Sequence, residues 1–303
     1  MKKIVGYVKD YFLNIDKRIF FLSTVFLALA IFVNYYFKIE KEIIRLPFGQ
    51  KFTAWFLIFF AAFSFPYFLS FLFKKKIVAD RKFLLLLVLA PAIFAWKISS
   101  SVQFDFLNDA IENKYWNQIA YWPFKLLVVG GCLWLIWKAL EKRQPFYGFN
   151  TRNFELKPYW VMLALMVPLV AAASTQKDFL AVYPKLKNIQ FYLEDHNSWW
   201  HKLLFELSYG TDFFSIELFF RGFLVLAFMK WAGKESILPM AVFYCTIHFG
   251  KPLGECISSY FGGLILGAIT YNTQTIFGGL VVHLGIAWMM ELGGYLGTHT
   301  PGP

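Results

Sequence analysis

The sequence predicts an all-α, polytopic integral membrane protein, a helix bundle with about eight or nine transmembrane helices. Its 303 residues are 58% hydrophobic, 21% aromatic and only 16% charged, and the mean hydropathy is +0.50. Soluble domains are about half apolar and about a quarter charged, so this composition excludes an ordinary soluble domain. Inside lipid a helix satisfies its own backbone polar groups, and several apolar runs have the length of a helical span.

The distribution of charge points to a membrane surface as the partner. The formal net charge is +11, and the basic residues cluster in short loops between apolar segments, which is the topology signal of membrane proteins. We therefore expect membrane lipid with anionic headgroups as a partner, and no nucleic acid. Cys132, Cys245 and Cys256 lie in or beside apolar segments, and no CxxC pair is present. The cysteine spacing indicates neither a metal site nor a disulfide framework.

Five apolar segments precede residue 174. We place them at 19–37, 52–73, 83–96, 119–137 and 158–173. Two of the connecting loops are strongly basic, which is typical of the cytoplasmic side. Their basic residues are Lys74, Lys75, Lys76, Arg81 and Lys82 in one loop, and Lys138, Lys142, Arg143, Arg152 and Lys157 in the other.

The segment at 83–96 decides the orientation of everything after it. It is short for a span and contains Pro91, so a re-entrant or interfacial segment competes with a span there. If it spans, the amino terminus and most of the Lys and Arg residues lie inside, and the last third has its polar residues near the outer leaflet. If it does not span, the last third inverts and those residues face the cytoplasm. The sequence leaves both alternatives open.

The last third of the chain holds four more apolar segments, at 213–229, 236–249, 257–271 and 276–292. The stretch 174–211 before them is polar and aromatic. Its Trp199 and Trp200 stand beside charged residues, which predicts a surface-lying helix that leads into the first of these segments. We divide the chain into amino-terminal helices and an interfacial segment at 1–199, a core domain at 200–295 and a tail at 296–303.

Glu217 and Arg221 stand out because they are ionisable residues inside an apolar segment. Such residues are expensive at membrane depth and are usually paired or functional. Their i,i+4 spacing places them on one face of an α-helix, within reach of each other. One interpretation is a buried pair that only fixes helix packing, and the other is a functional site.

Two histidines in the following apolar segments favour the functional interpretation. His248 lies at the end of one segment and His283 lies midway along the last. We place Glu217 just inside the start of its helix, so consecutive antiparallel helices bring it to the same side of the membrane as His248. Two imidazoles and a carboxylate form a known catalytic zinc set. Without metal, the same groups activate water and stabilise an oxyanion, so we commit to no cofactor.

Three short segments resemble the motifs of the CPBP family of CAAX-type prenyl endopeptidases and bacteriocin-processing or immunity proteins. They are ELFFRG at 217–222, YCTIH at 244–248 and HLGIA at 283–287. The family motifs are written EExxxR, FxxxH and HxxxN, and the resemblance covers roughly residues 200–295. It implies a membrane-embedded peptidase site with Glu217, Arg221, His248 and His283, and it implies a bacterial cell membrane as the location.

Two motif positions differ from the family. Ile216 stands where the family has its first glutamate, the residue usually assigned to activate water, and Ala287 stands where it has asparagine. On an α-helix, residues four apart share a face. Asp212 thus lies on the face of Ile216, and Glu291 lies on the face of Ala287, so either carboxylate could replace a missing group.

Glu255, which follows His248 in HFGKPLGE, is a further candidate. The competing interpretation is that Asp212 caps its helix and that Glu291 sits at the membrane interface.

Three functions remain open on these grounds. The first is an intramembrane endopeptidase of the CAAX-protease type that cleaves a membrane-associated peptide. The second is a catalytically inactive relative that binds a membrane peptide as an immunity or scaffold protein, which the residues at 216 and 287 favour. The third is a transporter with Glu217 and Arg221 as a coupling pair, although the sequence shows no internal repeat.

Overall fold

The computed structural model describes residues 1–73, 75, 77–101, 103–141, 145–152, 154–196 and 198–299, and these residues form helices and connecting loops with no β-strand among them. The predicted all-α class is confirmed. Four of the predicted basic loop residues, Lys74, Lys76, Lys142 and Arg143, lie outside the described residues, as does the tail from residue 300 onward.

Fourteen α-helices follow one another along the described chain. In order, α1 to α14 are Lys2–Asn14, Lys17–Phe37, Ile39–Arg45, Phe48–Leu72, Arg81–Ser99, Ala110–Ile136, Lys157–Ala173, Lys177–Val182, Gln190–Leu193, Trp199–Glu217, Met229–Ala232, Ile237–Thr246, Leu253–Thr273 and Phe277–His299. Two π-helical segments, Trp137–Glu141 and Leu218–Ala227, and two 3₁₀ turns, Lys185–Ile189 and Gly233–Ser236, lie between them.

Six of these helices are long and apolar enough to cross a membrane. A seventh span results if Lys157–Ala173 and Lys177–Leu193, which are bent by 95° relative to each other, count as one broken span. The protein is therefore a multi-pass membrane protein, but the expected count of eight or nine spans is not confirmed. Part of the difference arises in the last third, where the π-helical segment Leu218–Ala227 interrupts the predicted span at 213–229 and α12, at the predicted span 236–249, has only 10 residues.

The ambiguous segment at 83–96 is part of a helix of ordinary spanning length. The Asp80 side chain accepts a hydrogen bond from the Phe83 backbone N–H, so the helix begins at Arg81, and it continues to Ser99. N-terminal capping by Asp satisfies a donor that the helix itself leaves without a partner. With 19 residues and a mean hydropathy of 1.8, this helix is long enough to cross.

The chain divides into two compact units. The first comprises residues 1–100, 132–154 and 218–278. Its core is aromatic, and the Phe59 and Phe243 rings lie 4.8 Å apart, while the Phe94 ring lies 5.0 Å from each of Phe219 and Phe220. Tilted and edge-to-face pairs of this kind stabilise a core beyond their buried area.

Helices α12 and α13 pack closely within the first unit because α13 carries small residues on the contact face. A Cβ built on Gly263 would lie 3.3 Å from Ala241, and one on Gly267 would lie 2.6 Å from the methyl carbon of Met240. This is the close helix contact that a small-xxx-small pair allows.

The second unit comprises residues 101–131, 155–217 and 279–303. One apolar cluster joins Tyr115 and Ile119 to Ile189, Tyr192, Leu193 and Phe205. A second cluster joins Tyr209 and Phe213 of α10 to Ala287 of α14. Both α10 and α14 therefore contribute to the core of this unit, and they carry most of its ionisable residues discussed below.

The helix that contains Glu217 begins much earlier than predicted. Helix α10 runs from Trp199 to Glu217, so the expectation that Glu217 lies just inside a helix start is wrong. Polar residues at 199–212 do not interrupt the helix, because the apolar side chains among them recur at helical spacing and are buried, as Phe205 and Tyr209 are. Asp212 lies within this helix and cannot be its N-cap, so the capping interpretation is also wrong.

Candidate active site

Glu217 and His283 form a buried pair in the second unit. The Nδ1 atom of His283 lies 3.0 Å from Oε1 of Glu217. The Glu217 side chain has no exposed surface, whereas the His283 side chain is 15% exposed. A carboxylate only accepts hydrogen bonds, so Nδ1 of His283 is the donor in this pair.

Two neighbours fix the geometry of this pair. The Phe213 ring packs edge-to-face on the His283 ring at 4.8 Å and restrains its orientation. Gly279 lies one turn before His283 on α14, and a Cβ at Gly279 would collide with Oε2 of Glu217. The absence of a side chain at 279 therefore makes the room in which the carboxylate lies.

In the first unit, the Tyr244 ring contacts both Arg221 and His248. Arg221 is fully buried, and its guanidinium carbon lies 4.2 Å from the centre of the Tyr244 ring. The His248 ring packs edge-to-face on the same Tyr244 ring, with 4.8 Å between the ring centres. Its Nδ1 lies 2.9 Å from the Tyr244 carbonyl oxygen. Tyr244 thus holds both the cation and the imidazole that the sequence singled out.

Arg221 lies in the π-helical segment Leu218–Ala227, and the α-helix ends at Glu217. A π-helix has i→i+5 hydrogen bonds and occurs frequently at functional sites. The i,i+4 geometry on which the expected Glu217–Arg221 pair depends therefore does not apply across this segment. That pairing stays a prediction.

Gly222 follows Arg221 and allows a loop to approach the π-helix. A Cβ at Gly222 would lie 2.6 Å from the carbonyl oxygen of Tyr147. The loop that carries Tyr147 is held in turn by backbone hydrogen bonding, since the Ile276 N–H donates to the Gly148 carbonyl at 3.1 Å. The glycine of the first motif thus has a packing role.

Glu255 and Asp212 have local contacts of their own. Glu255 lies in the first turn of α13, and its carboxylate is 3.5 Å from Nζ of Lys251. Asp212 lies in the middle of α10, where the Ser215 hydroxyl donates to its carbonyl at 2.8 Å. Whether either residue replaces a missing motif group stays a prediction.

Glu291 anchors a 3₁₀ turn of the second unit. Its Oε1 accepts from the Lys185 backbone N–H at 2.8 Å, and its Oε2 lies 3.2 Å from the Leu186 N–H. Its carboxylate also shares a hydrogen bond with Glu206 of α10. Ala287, which stands where the family has asparagine, has apolar surroundings, because it packs against Tyr209 and Phe213.

The Glu206–Glu291 pair predicts a pH dependence of stability. Burial first, and then the charge and hydrogen bond of Glu291, raise the pKa of Glu206 to about 8. The folded protein therefore keeps a proton that the unfolded chain releases above its ordinary pKa near 4.5. Stability is then fully present at low pH and falls as the pH rises through this window.

We expect Glu206→Gln to flatten that fall, because an amide keeps a hydrogen-bond donor for Glu291 and does not titrate. Thermal unfolding between pH 5 and pH 8 measures the effect, and exposed Glu194→Gln is the matched control. Equal slopes for wild type and Glu206→Gln would contradict the prediction.

Glu217, His248 and His283 are the residues that the sequence offers as a possible zinc site. Over the residues that the structure describes, no three His, Cys, Asp or Glu side chains come together as a group that could hold a metal ion.

Comparison with protein families decides the nature of this region. Residues 199–289 match the family model described as "Type II CAAX prenyl endopeptidase Rce1-like". The chain carries an Rce1-like domain. The resemblance drawn from the three motifs is thereby confirmed over these residues. No curated protein and no solved structure matches the chain.

The Rce1-like domain contains every motif residue, but sequence reasoning missed several of their neighbours. Gly279, Phe213 and Glu206 were not singled out. The glycine pair at 278–279, one turn before His283, was a usable signal for close approach of a side chain. Glu206 lies three turns before Glu217, so helical periodicity predicts that both residues lie on the same face of the helix.

Proposed function

We propose that the protein is an intramembrane endopeptidase of the CAAX-protease type, which cleaves a membrane-associated peptide in a bacterial cell membrane. The observation that carries the proposal is the buried Glu217–His283 pair inside an Rce1-like domain. A carboxylate bonded to one imidazole nitrogen is the arrangement that prepares the other nitrogen as a base.

In the proposed mechanism His283 is the general base and Glu217 positions it. Nε2 of His283 removes a proton from water as the oxygen attacks the scissile carbonyl carbon. Glu217 stabilises the imidazolium that forms, and the imidazolium then protonates the leaving amine. General acid–base catalysis of this kind contributes about 10²–10⁴-fold to a rate. It also assigns the activation of water to a residue other than Ile216, where the family has its first glutamate.

His248 and Arg221 are part of the proposal because they occupy positions of the family motifs. A second imidazole that donates a hydrogen bond would stabilise the oxyanion of the tetrahedral intermediate. The contacts of both groups with the buried Tyr244 ring support a fixed orientation for the guanidinium and for the imidazole. The role of Arg221 in this proposal is structural.

A non-catalytic function has one observation in its favour. Ile216 and Ala287 are both buried and apolar, with exposed fractions of 8% and 3%, so the two departures from the family motifs are built into the packing. A peptide-binding, immunity or scaffold protein would need no polar group at either position.

Cleavage of membrane peptides by the purified full-length protein in lipid vesicles separates these functions. The substrates are CAAX-type peptides with and without a prenyl group, and mass spectrometry identifies the products. We expect wild-type protein to cleave and His283→Ala to be inactive while remaining folded. Cleavage that His283→Ala retains would refute the proposed base, and a wild type that cleaves neither peptide would favour the binding function.

A further inference from the structure

Two buried thiols lie against each other beside the loop that carries His248. The Sγ atoms of Cys245 and Cys256 are 3.8 Å apart, and both side chains have no exposed surface. The contact is reciprocal, since Sγ of Cys245 is 3.1 Å from the Cys256 carbonyl oxygen and Sγ of Cys256 is 3.7 Å from that of Cys245. Neither thiol has a role in the proposed peptide hydrolysis.

We propose that Cys245 and Cys256 are a redox site that a small peroxide oxidises to a disulfide, which clamps the His248 loop. A disulfide needs its sulfur atoms about 2 Å apart. The present separation therefore has to close by roughly 1.8 Å, which side-chain rotation of two residues on facing helix ends supplies.

The placement of the pair gives the disulfide its consequence. Cys245 lies in the last turn of α12 and Cys256 in the first turn of α13, so a bond between them closes residues 246–255 into a loop. The His248 backbone N–H already donates to the Cys245 carbonyl at 3.0 Å. A disulfide would fix the two ends of this loop and restrict the motion of His248 and Glu255.

The surroundings favour Cys256 as the thiol that reacts first. It lies in the first turn of α13, the end of this helix that adjoins the His248 loop. The Tyr35 side chain is hydrogen-bonded to the same thiol, and the Tyr35 hydroxyl donates to the Lys251 carbonyl at 2.6 Å. Tyr35 therefore connects the reactive thiol to the His248 loop.

The chemistry balances with one molecule of peroxide. The Cys256 thiolate attacks an oxygen of hydrogen peroxide, the O–O bond breaks, and a sulfenic acid and hydroxide form. The Cys245 thiol then attacks the sulfenic sulfur, the S–S bond forms and the hydroxyl leaves as water. Overall, two thiols lose two electrons and two protons, and one peroxide becomes two molecules of water. Because both thiols are fully buried, a bulky disulfide oxidant has no access, and a peroxide of about the size of water reaches them when this region opens locally.

A cleavage site between the two cysteines makes the test direct. The full-length protein in lipid is treated with hydrogen peroxide, remaining thiols are blocked with N-ethylmaleimide, and the denatured chain is cut after glutamate. Cleavage after Glu255 separates peptides 236–255 and 256–291, each with one cysteine of the pair. We expect these peptides to remain joined, about 2 Da lighter than the two thiol forms together, and to separate on reduction.

Matched variants decide whether the bond is the one proposed. Cys132→Ala should leave the joined peptides unchanged, and Cys245→Ala should abolish them. Amide hydrogen exchange of residues 247–251 should become slower in the oxidised wild type and return to its original rate with dithiothreitol. In Cys245→Ala the exchange rate should not respond to peroxide. The proposal is overturned if Cys256 proceeds to sulfinic acid without joining the peptides, if Cys132 is the partner, or if the bond forms without slowing exchange in the loop.

Discussion

Glu217→Gln is expected to lower kcat/KM for peptide cleavage by about 10³–10⁴-fold, the loss typical of removing the carboxylate that orients a catalytic histidine. An amide can present N–H to Nδ1 of His283 and so stabilise the wrong tautomer, with the proton on Nε2. Folding should survive, because the two side chains have nearly the same volume. Single-turnover kinetics in vesicles measure the effect, and the folded yield of the variant serves as the control.

Two further variants test whether Glu217 acts through His283. Groups that act as one unit are non-additive, so Glu217→Gln combined with His283→Ala should be little worse than His283→Ala alone. Gly279→Ala should reproduce much of the loss, because its methyl group would displace the Glu217 carboxylate. Gly262→Ala is the matched control on α13, where a Cβ would meet no described atom within 4 Å. Full activity in Glu217→Gln would refute the positioning role.

Arg221→Ala is expected to destabilise the protein by about 3–5 kcal/mol, the usual cost of truncating a large buried side chain to alanine. Arg221 is fully buried, and its guanidinium lies over the Tyr244 ring. The variant removes a cation–π contact and also leaves an unfilled volume in the aromatic core. The expected result is a large loss of folded yield in membranes and a lower unfolding temperature.

The matched substitutions separate charge from shape. Arg221→Lys keeps the charge but loses the planar group that stacks on the ring, so it should be intermediate in stability. Tyr244→Phe keeps the ring and should be close to wild type, whereas Tyr244→Leu should lose part of the stability. A normal yield and unfolding temperature for Arg221→Ala would show that the guanidinium contributes nothing to folding.

Sequence reasoning succeeded where composition and motif spacing carry the information. The apolar fraction and the long apolar runs predicted an all-α membrane protein, and three motifs in order identified the Rce1-like region. Helix boundaries were predicted less accurately from the sequence. Helix α10 starts at Trp199, well before the apolar segment at 213–229, because helix formation tolerates exposed polar residues as long as one face packs.

The contacts around the motif residues could not be read from spacing alone. Sequence periodicity assumes α-helical geometry, and the π-helical segment Leu218–Ala227 departs from it at Arg221. The contact between His283 and Glu217 joins α10 to α14, and the order of segments in the chain does not specify which helices become neighbours. Gly279 acquires its role only from that contact.

The contact surface between α10 and α14 also has a consequence for how substitutions combine. Glu217 bonds His283 at one level and Glu206 bonds Glu291 at another, while the cluster of Tyr209, Phe213 and Ala287 lies between them in the order of both helices. Phe213 and Ala287 contribute only apolar side-chain atoms to this layer. The two polar pairs are therefore separated along both helices by apolar packing. The free-energy effects of substitutions at one pair and at the other should be additive, as is usual for sites that share no contacts.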